Sequence, residues 1–164
     1  MAATPNLILK ELLEDFGTAM LVTRNAEDEL RARPMAIAEV EADGTLWFAT
    51  DRHAGKIQEL AADSRVVLTM QSSLKFISLS GTASTVEDRA KIKRLWKSIW
   101  SVWFPGGEDD PNLLLLRVTG HEGEYWDNSG ISGLKYLIAA GKALLQGTQP
   151  DIENDPKIHG KVIL

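Results

Sequence analysis

The chain has 164 residues, a formal net charge of −5 and no cysteine. This length suits a single domain, residues 1–164, that buries about 70% of its extended surface. The negative charge argues against a broad nucleic-acid surface, and the lack of cysteine excludes disulfides, thiolate catalysis and cysteine-ligated metals. No apolar run approaches a membrane span, so we expect a cytoplasmic protein with neither nucleic-acid nor membrane partners.

The first elements predicted along the chain are a helix and a short strand. Thr4 and Pro5 suit the N-cap and the first position of a helix, and Gly17 ends it. The apolar stripe of this helix consists of Leu9, Leu12, Leu13 and Phe16. Residues 19–23 then form a short buried strand, and the polar residues 25–28 form a turn into the next strand.

The second strand is predicted from about residue 30 to about residue 40. Alternation places Arg31, Arg33 and Met35 on one face of this strand. Pro34 has no N–H group, so we expect an edge, a bulge or a ligand-facing gap at this point.

A turn, a strand and a helix follow within one short stretch. Residues 43–44, Asp-Gly, are typical of a tight turn. Residues 46–50 form an apolar strand rich in aromatic side chains, and the chain becomes polar at Asp51. Lys56 falls in the first turn of an amphipathic helix over residues 54–62.

The corner between this strand and this helix is a candidate phosphate site. Thr50 supplies a hydroxyl, Lys56 supplies an ammonium group, and the start of the helix supplies free N–H groups. Arg31 and Arg33 can lie beside this corner. A small cationic pocket at the end of an apolar sheet surface suits a flat ring that carries one phosphate. In the alternative interpretation, Lys56 and the arginines are ordinary solvated side chains.

The second half of the chain is predicted to hold further strands and a long helix. Strands cover residues 65–70 and 76–80, and Gly81 allows a bend or bulge. Asp88 caps the longest helix of the chain. The apolar face of this helix consists of Ile92, Leu95, Trp96 and Ile99, and it is extended by Trp100 and Trp103.

The C-terminal part is predicted to complete a sheet. An acidic, solvated loop at residues 108–110 precedes residues 113–118 and 124–126, which form either a strand pair or one long interrupted strand. A helix, a loop and a short strand follow at residues 133–145, 150–156 and 161–164. Six short strands with few helices predict a mainly β (α+β) fold, a small β-barrel with peripheral helices.

No metal site is predicted. The three histidines, His53, His121 and His159, lack any recognised metal-ligand spacing. The acidic loop at residues 108–110 lacks the glycine and the terminal glutamate of a calcium loop.

Several segments occur in an order and spacing that is known from one protein family. They are residues 30–35 (Leu-Arg-Ala-Arg-Pro-Met), 46–51 (Leu-Trp-Phe-Ala-Thr-Asp) with Lys56, 79–81, 103–107, 110–112, 124–127 and 159–162. Together they resemble the pyridoxamine 5'-phosphate oxidase-like FMN-binding split-barrel proteins, and within these the general stress protein 26 group. The resemblance implies a split β-barrel of about six antiparallel strands with peripheral helices, forming a homodimer with FMN at the subunit interface.

The resemblance also implies which residues contact the FMN. The strand residues Arg33–Met35 would lie against the isoalloxazine ring and its tail, and Thr50, Asp51 and Lys56 would border the phosphate. Relatives commonly carry a serine two residues before this lysine, and some carry an arginine directly before it. This chain has alanine and glycine at residues 54–55, so a weaker hold on FMN is expected.

Three aromatic side chains are implied to shape the open side of the ring. Trp103 and Phe104 belong to a segment that in split-barrel dimers comes from the second protomer and covers the flavin. Trp126 resembles the tryptophan of a Glu-Phe-Trp motif that touches the cofactor in pyridoxamine phosphate oxidase. Without the resemblance, such side chains are more often packed in a core or at a strand end.

The implied chemistry is that of the bound flavin, and no acid–base residue is assigned. Oxidation of pyridoxamine phosphate is not expected, because Asp127 follows Trp126 where that enzyme has basic residues, and it would repel the substrate phosphate. Two functions remain open. One is an FMN-dependent oxidoreductase with a small-molecule substrate or electron donor, and the other is an FMN-binding stress protein that stores or senses flavin without turnover. In a third alternative, the same barrel binds a deazaflavin or haem.

Overall fold

The strands and helices are assigned over residues 5–147 and 155–164, the part of the chain that the structure, a computed structural model, describes. The strands are β1 Thr18–Arg24, β2 Leu30–Val40, β3 Leu46–Asp51, β4 Arg65–Gln71, β5 Lys75–Val86, β6 Leu113–Asp127 and β7 His159–Ile163. The α-helices are α1 Pro5–Glu14, α2 Gly55–Ala62, α3 Arg89–Leu95 and α4 Gly130–Gln146. Two 3₁₀ segments cover Ser98–Val102 and Gly107–Asp109.

Six antiparallel strands close into a barrel in the order β3-β2-β1-β4-β5-β6, because β6 pairs back with β3. Strand β7 adds to the other side of β6. Hairpins join β1 to β2, β2 to β3 and β4 to β5, a connection that antiparallel neighbours allow. This topology confirms the predicted split β-barrel with peripheral helices.

One long strand, β6, closes the barrel. Its first half pairs with β3 and with the end of β5, and its second half pairs with the start of β5 and with β7. Of the two interpretations of this segment, the structure therefore shows the single long strand, of 15 residues. The predicted bulge is also present, because the register of β5 shifts between Ser80 and Gly81. Strand β5 then continues to Val86, which the sequence pattern did not predict.

The run of leucines at the start of β6 is buried on both faces. Leu116 and Val118 belong to the barrel core, whereas Leu113 and Leu115 belong to a second apolar cluster outside the barrel wall. The other buried members of this second cluster are Trp47, Ile92, Leu95, Trp100 and Phe104. Burial of each such side chain is worth about 1.5–3 kcal/mol. The second cluster therefore fixes α3 and the following 3₁₀ segment against β3 and β6.

The helix that begins after Asp88 is much shorter than predicted. The cap is present, because the Asp88 carboxylate accepts a hydrogen bond from the Lys91 N–H. The helix ends at Leu95, however, and the longest helix is α4, of 17 residues. The backbone becomes extended at Trp96 (φ −52°, ψ 132°), and the ring of Trp96 meets that of Trp100 edge to face at 5.8 Å. This break buries Trp100, so packing outweighs the helical periodicity.

The predicted solvated acidic loop is in fact a 3₁₀ turn fixed by a buried carboxylate. The Asp110 side chain is buried and accepts hydrogen bonds from the N–H groups of Gly106, at 3.0 Å, and Asn112, at 2.9 Å. The Asp110 carbonyl accepts a further bond from Arg89. Asp110 therefore has a structural role between the second cluster and β6.

Two predicted features lie wholly or partly outside the described residues. These are the N-cap Thr4 and the loop at 150–156, of which only 155–156 are described. Within the described ranges, none of the helices combines the length and the apolar character that crossing a membrane requires.

A glycine-to-alanine change at the β5 bulge tests the packing of the barrel wall. At Gly81, an added Cβ would lie 2.1 Å from the Thr119 carbonyl oxygen, a clash with backbone. We expect Gly81→Ala to lower the free energy of unfolding by about 1–3 kcal/mol or more, measured by urea denaturation. Gly17→Ala is the matched control, because a Cβ there meets no atom within 4 Å. Equal stability of the two variants would contradict this account of the bulge.

Candidate functional site

The barrel is open between the first half of β2 and the second half of β3. The two strands pair from Ile37 and Phe48 onward, with a register shift between Ile37 and Glu39. In the described chain, the earlier part of β2 pairs with β1 alone, and the later part of β3 pairs with β6 alone. Pro34 lies in this open stretch, which confirms the irregularity predicted from its missing N–H group.

A cavity of about 320 Å³ lies at this opening. This volume falls in the range typical of small-molecule sites. Every residue predicted to contact the cofactor lines it, apart from Arg33 and Trp126. The lining residues are Pro34, Met35, Ala36, Ala49, Thr50, Asp51, Lys56, Trp100, Trp103 and Phe104.

One end of the cavity carries a cation whose hydrogen-bond partner is neutral. The Lys56 Nζ lies 3.0 Å from the buried Thr50 hydroxyl, to which it donates. No carboxylate among the described residues lies within ion-pair distance of Lys56. Burial, and next the charge of Arg33, lower the pKa of Lys56, while Asp51 and Glu59 act in the opposite direction. A bound anion would therefore offset the free-energy cost of burying this ammonium group in its charged form.

The start of α2 adds backbone donors to the same end. The N-cap residue Ala54 provides no side-chain cap, and within the described chain the N–H groups of Gly55 and Lys56 have no acceptor. An added Cβ at Gly55 would meet no atom within 4 Å, so the backbone is open to a ligand. Asp51 shapes the turn before the helix, since its carboxylate accepts a hydrogen bond from the His53 N–H at 2.6 Å.

Arg33 lies next to the cavity but is already paired. Its guanidinium is 2.8 Å from the Glu59 carboxylate and also donates to the Thr23 hydroxyl, which in turn donates to Glu59. Burial opposes ionisation of Glu59, but the bonds from Thr23 and Arg33 outweigh it, and the pKa of Glu59 is lowered. Arg33 therefore influences Lys56 through its charge rather than by lining the cavity.

The wall opposite the strands is aromatic. Trp100 and Phe104 are buried, whereas Trp103 is 66% exposed at the rim. The resemblance implied that the segment of Trp103 and Phe104 would cover a partner's flavin, and here it lines the cavity of its own chain. Trp100 also lines the cavity, which was not predicted; the signal for it in the sequence is its place in the tryptophan-rich segment.

Trp126 lies far from the cavity within one chain. It is near the last residue of β6, whereas the first residue of β6, Leu113, pairs with Asp51 at the cavity. The Trp126 ring stacks on His159, with centroids 5.3 Å apart, and the His159 Nε2 is 2.7 Å from the Glu124 carboxylate. A role of Trp126 in cofactor binding would thus require a second copy of the chain.

An ion-pair network ties the aromatic wall to the strands. Arg94 pairs with Glu39 of β2 at 2.7 Å, and Lys91 pairs with Glu39 at 3.0 Å and with Glu41 at 2.6 Å. The Lys91 ammonium also lies 4.0 Å from the centroid of the Trp47 ring. These contacts hold α3 beside β2, and α3 leads directly into the 3₁₀ segment that lines the cavity.

Metal-binding clusters are absent from the described part of the chain, in which no group of three or more histidine, aspartate or glutamate side chains converges. The donor set at the cavity, an ammonium group, a hydroxyl and N–H groups, instead suits an anion.

Comparison with known proteins identifies one matching family. Residues 6–151 match the family model described as pyridoxamine 5'-phosphate oxidase like. Among curated proteins, Protein bli-3 of Neurospora crassa is 31% identical over 112 residues, 61% of this chain and 54% of bli-3. The chain therefore spans about half the length of this curated relative.

Two solved structures share the fold over most of the chain. One, assigned to general stress protein 26 of Jannaschia sp. CCS1, is 25% identical and covers 96% of both chains with a TM-score of 0.72. The other, the general stress FMN/FAD binding protein of Xanthomonas citri, is 33% identical, with a TM-score of 0.64. That alignment covers 74% of this chain and 87% of the Xanthomonas chain.

The ion-pair network predicts a specific pH dependence of stability. Hydrogen bonding by Arg94, against an opposing effect of burial and with further help from Lys91, lowers the pKa of Glu39 from 4.5 to about 2. Ionised Glu39 therefore contributes stability above about pH 4.5 that is lost as the pH falls towards 2. We expect Glu39→Gln to cost about 1–3 kcal/mol near neutral pH and roughly half of that near pH 3, measured by urea denaturation.

The control for this experiment is Glu11→Gln, a change of the same chemistry at an exposed position of α1. It should leave the pH profile of stability unchanged. A Glu39→Gln penalty that is the same at both pH values would contradict the assigned network.

Proposed function

Because this chain belongs to the pyridoxamine 5'-phosphate oxidase-like family, we propose that it is a flavoprotein of the general stress protein 26 type that binds FMN in the cavity between β2 and β3. The observation that carries the proposal is the half-buried ammonium of Lys56, held by the neutral hydroxyl of Thr50 at the end of an aromatic-walled cavity. A ring with a phosphate-bearing tail matches both ends of such a site.

The phosphate would be held by Lys56, by the Thr50 hydroxyl and by the N–H groups at the start of α2. These groups fit an anion, since one is charged and the others are donors that lack an acceptor among the described residues. The alanine and glycine at residues 54–55 supply no further side-chain donor. The charge of Arg33 is offset by Glu59, so we propose a weaker hold on FMN than in relatives with serine or arginine at these positions.

The ring would lie against the open strand of Pro34–Ala36, facing Trp103 and Phe104. When bound, a flavin supplies hydride or electron transfer. The titratable side chains of the cavity lining are Asp51 and Lys56, both at the phosphate end. The chain would therefore bind and orient the flavin and shield one face of it from water. This lining would place no acidic or basic side chain beside the ring.

The outer surface of the sheet supports a homodimer with the FMN at the interface. We define the outer sheet face as the outward-pointing residues of β1, β2, β4 and β5, which alternate with buried ones, without the end of the sheet at Arg24 and Arg65. They are Thr18, Met20, Val22, Ala32, Pro34, Ala36, Val67, Thr69, Gln71, Phe76, Ser78 and Ser80. None of these is charged, although the water-facing side of a sheet is normally polar. The charged outward-pointing residues of β1 and β4, Arg24 and Arg65, lie at one end of the sheet and are paired with Asp28 and Asp63. Pro34 and Ala36 also line the cavity, so a copy docked there would reach the flavin.

A second function, flavin binding without turnover, is favoured by one observation. The side chains beside the proposed ring position are apolar, so this lining offers no acid or base that could bind or protonate a substrate there. We also propose that pyridoxamine phosphate is a poor substrate, because Asp127, which follows Trp126 and would reach the cavity only from the second copy, would repel the substrate phosphate.

Removal of the ammonium group tests the phosphate site. We expect Lys56→Ala to weaken FMN binding by about 1.5–3 kcal/mol, the value of a charge-assisted hydrogen bond, measured by fluorescence or calorimetric titration. Riboflavin, which lacks the phosphate, should bind both proteins equally. Lys10→Ala, a change on α1, is the control and should bind FMN as the natural chain does. Unchanged FMN affinity of Lys56→Ala would exclude Lys56 as a phosphate ligand.

Reduction of the bound flavin separates the two functions. We expect anaerobic addition of NADH or NADPH to bleach the flavin absorbance, and an added electron acceptor to restore it. Tight FMN binding without bleaching by either nucleotide would instead support flavin storage or sensing. A protein that stays colourless with added FMN would contradict both functions.

A further inference from the structure

Helix α4 exposes more apolar surface than a helix of a single folded chain normally does. Five of its large apolar side chains, those whose burial the structure describes, are between 52% and 88% exposed. They form one stripe with helical spacing, defined here as the α4 stripe: Leu134, Leu137, Ile138, Leu144 and Leu145. Ala143 is the buried side chain among those described on this helix. A contiguous apolar stripe of this kind marks an interaction surface.

A second exposed apolar surface lies beside the cavity. Ile99, Val102 and Trp103 of the 3₁₀ segment are 61%, 69% and 66% exposed. We call these three residues the rim patch, because Trp103 also lines the cavity. The second cluster buries the neighbouring Trp100 and Phe104, so the rim patch is not needed for packing within the chain.

The two surfaces flank the outer sheet face on opposite sides. On the β2 side, Pro34 and Ala36 share the cavity with Trp103 of the rim patch. On the β5 side, Phe76 pairs with Trp126 of β6, so these two residues lie at the same level of the sheet. Helix α4 begins shortly after β6 ends. The start of α4 forms a groove with the β4–β5 turn, lined by Leu74, Asn128, Gly130, Gly133, Leu134 and Leu137.

We propose that α4 is an arm that packs its apolar stripe on the rim patch of a second copy of this chain. The inference rests on the homodimer of the proposed function. When two sheets pack face to face about a two-fold axis along their strands, the β2 side of each lies over the β5 side of the other. The α4 stripe of one copy then meets the rim patch of its partner, and the contact occurs twice.

The charges near the two surfaces favour this pairing over a contact between two α4 helices. The sequence of α4 contains lysines, including Lys142, and no acidic residue. Two such helices packed together would bring like charges close. The rim patch is instead followed by an acidic turn, in which Glu108 and Asp109 share the single ammonium group of Lys93, at 4.0 and 3.1 Å, so the turn keeps a net negative charge. The basic arm therefore complements the acidic border of the rim patch.

The arm would complete the flavin site of the partner. Trp103 leaves the cavity open at the rim, and an apolar helix over it would exclude water from that side. The stripe and the rim patch, each exposed in one chain, would both be buried. Each copy would then depend on the other for a closed cavity, although its phosphate end is complete within one chain.

The absence of cysteine makes cross-linking a direct test of this contact. In the double variant Val102→Cys/Leu144→Cys, a short bis-maleimide should yield a covalent dimer, with at least several-fold more product than either single variant. Leu7→Cys/Leu144→Cys is the matched control, with an exposed position on α1 in place of the rim patch. Cross-linking of Leu144→Cys alone would show arm-to-arm pairing and overturn the proposal, as would a cross-link confined to one chain.

A charge on the arm provides the second measurement. Leu144 is 84% exposed, so Leu144→Glu removes little packing within its own chain. It should raise the dimer dissociation constant roughly ten- to hundredfold, measured by sedimentation, the effect expected for one well-buried leucine. Leu7→Glu should leave it unchanged. An unaltered dissociation constant for Leu144→Glu, or a monomeric natural chain, would overturn the arm. FMN titration of the natural chain tests the proposed function independently, because neither arm measurement needs flavin.

Discussion

The site depends on one constraint of the barrel: β2 cannot pair with both neighbours along its whole length. It pairs with β1 from residue 30, but reaches β3 only at Ile37, next to a register shift that turns the strand. Pro34 sits in the open part, where a missing N–H group costs no strand pairing with β3. The gap leaves a stretch of backbone and the Thr50 corner accessible from outside. A barrel closed at this point would have no room for a flat ring.

The charge at the inner end of the cavity is smaller than its residue types suggest. The guanidinium of Arg33 is bonded to Glu59, so it acts on Lys56 only as a repulsive charge at longer range. An anion would then be held by one ammonium group, by the Thr50 hydroxyl and by a few N–H groups. Since the charge-assisted bond is about twice as strong as each neutral one, Lys56 would contribute the largest single share of the hold on the anion.

Much of the layout could be predicted from the sequence because it depends on local patterns. Alternation gave β2, and the position of Lys56 in the first turn of α2 gave the cationic corner. The end of α3 at Leu95 could not be predicted, because the packing of Trp100 in the second cluster decides it rather than periodicity. The pairing of Arg33 was equally hidden, since Glu59 lies 26 residues away and comes near only when α2 docks on the barrel.

The apolar surface of the chain is of two kinds. One kind is buried and stabilises the single chain, and the other is exposed and lies near the cavity. The barrel core and the second cluster are filled by side chains of one copy, whereas the outer sheet face, the α4 stripe and the rim patch are not covered. All three border the cavity or face its opening in the proposed dimer. A flavin that touches both copies would bind the assembled state more tightly than a single chain, and by mass action it would stabilise assembly. Flavin binding and subunit association would thus be thermodynamically coupled, because the gap that admits the ring also lies at the edge of the surface that a second copy would cover.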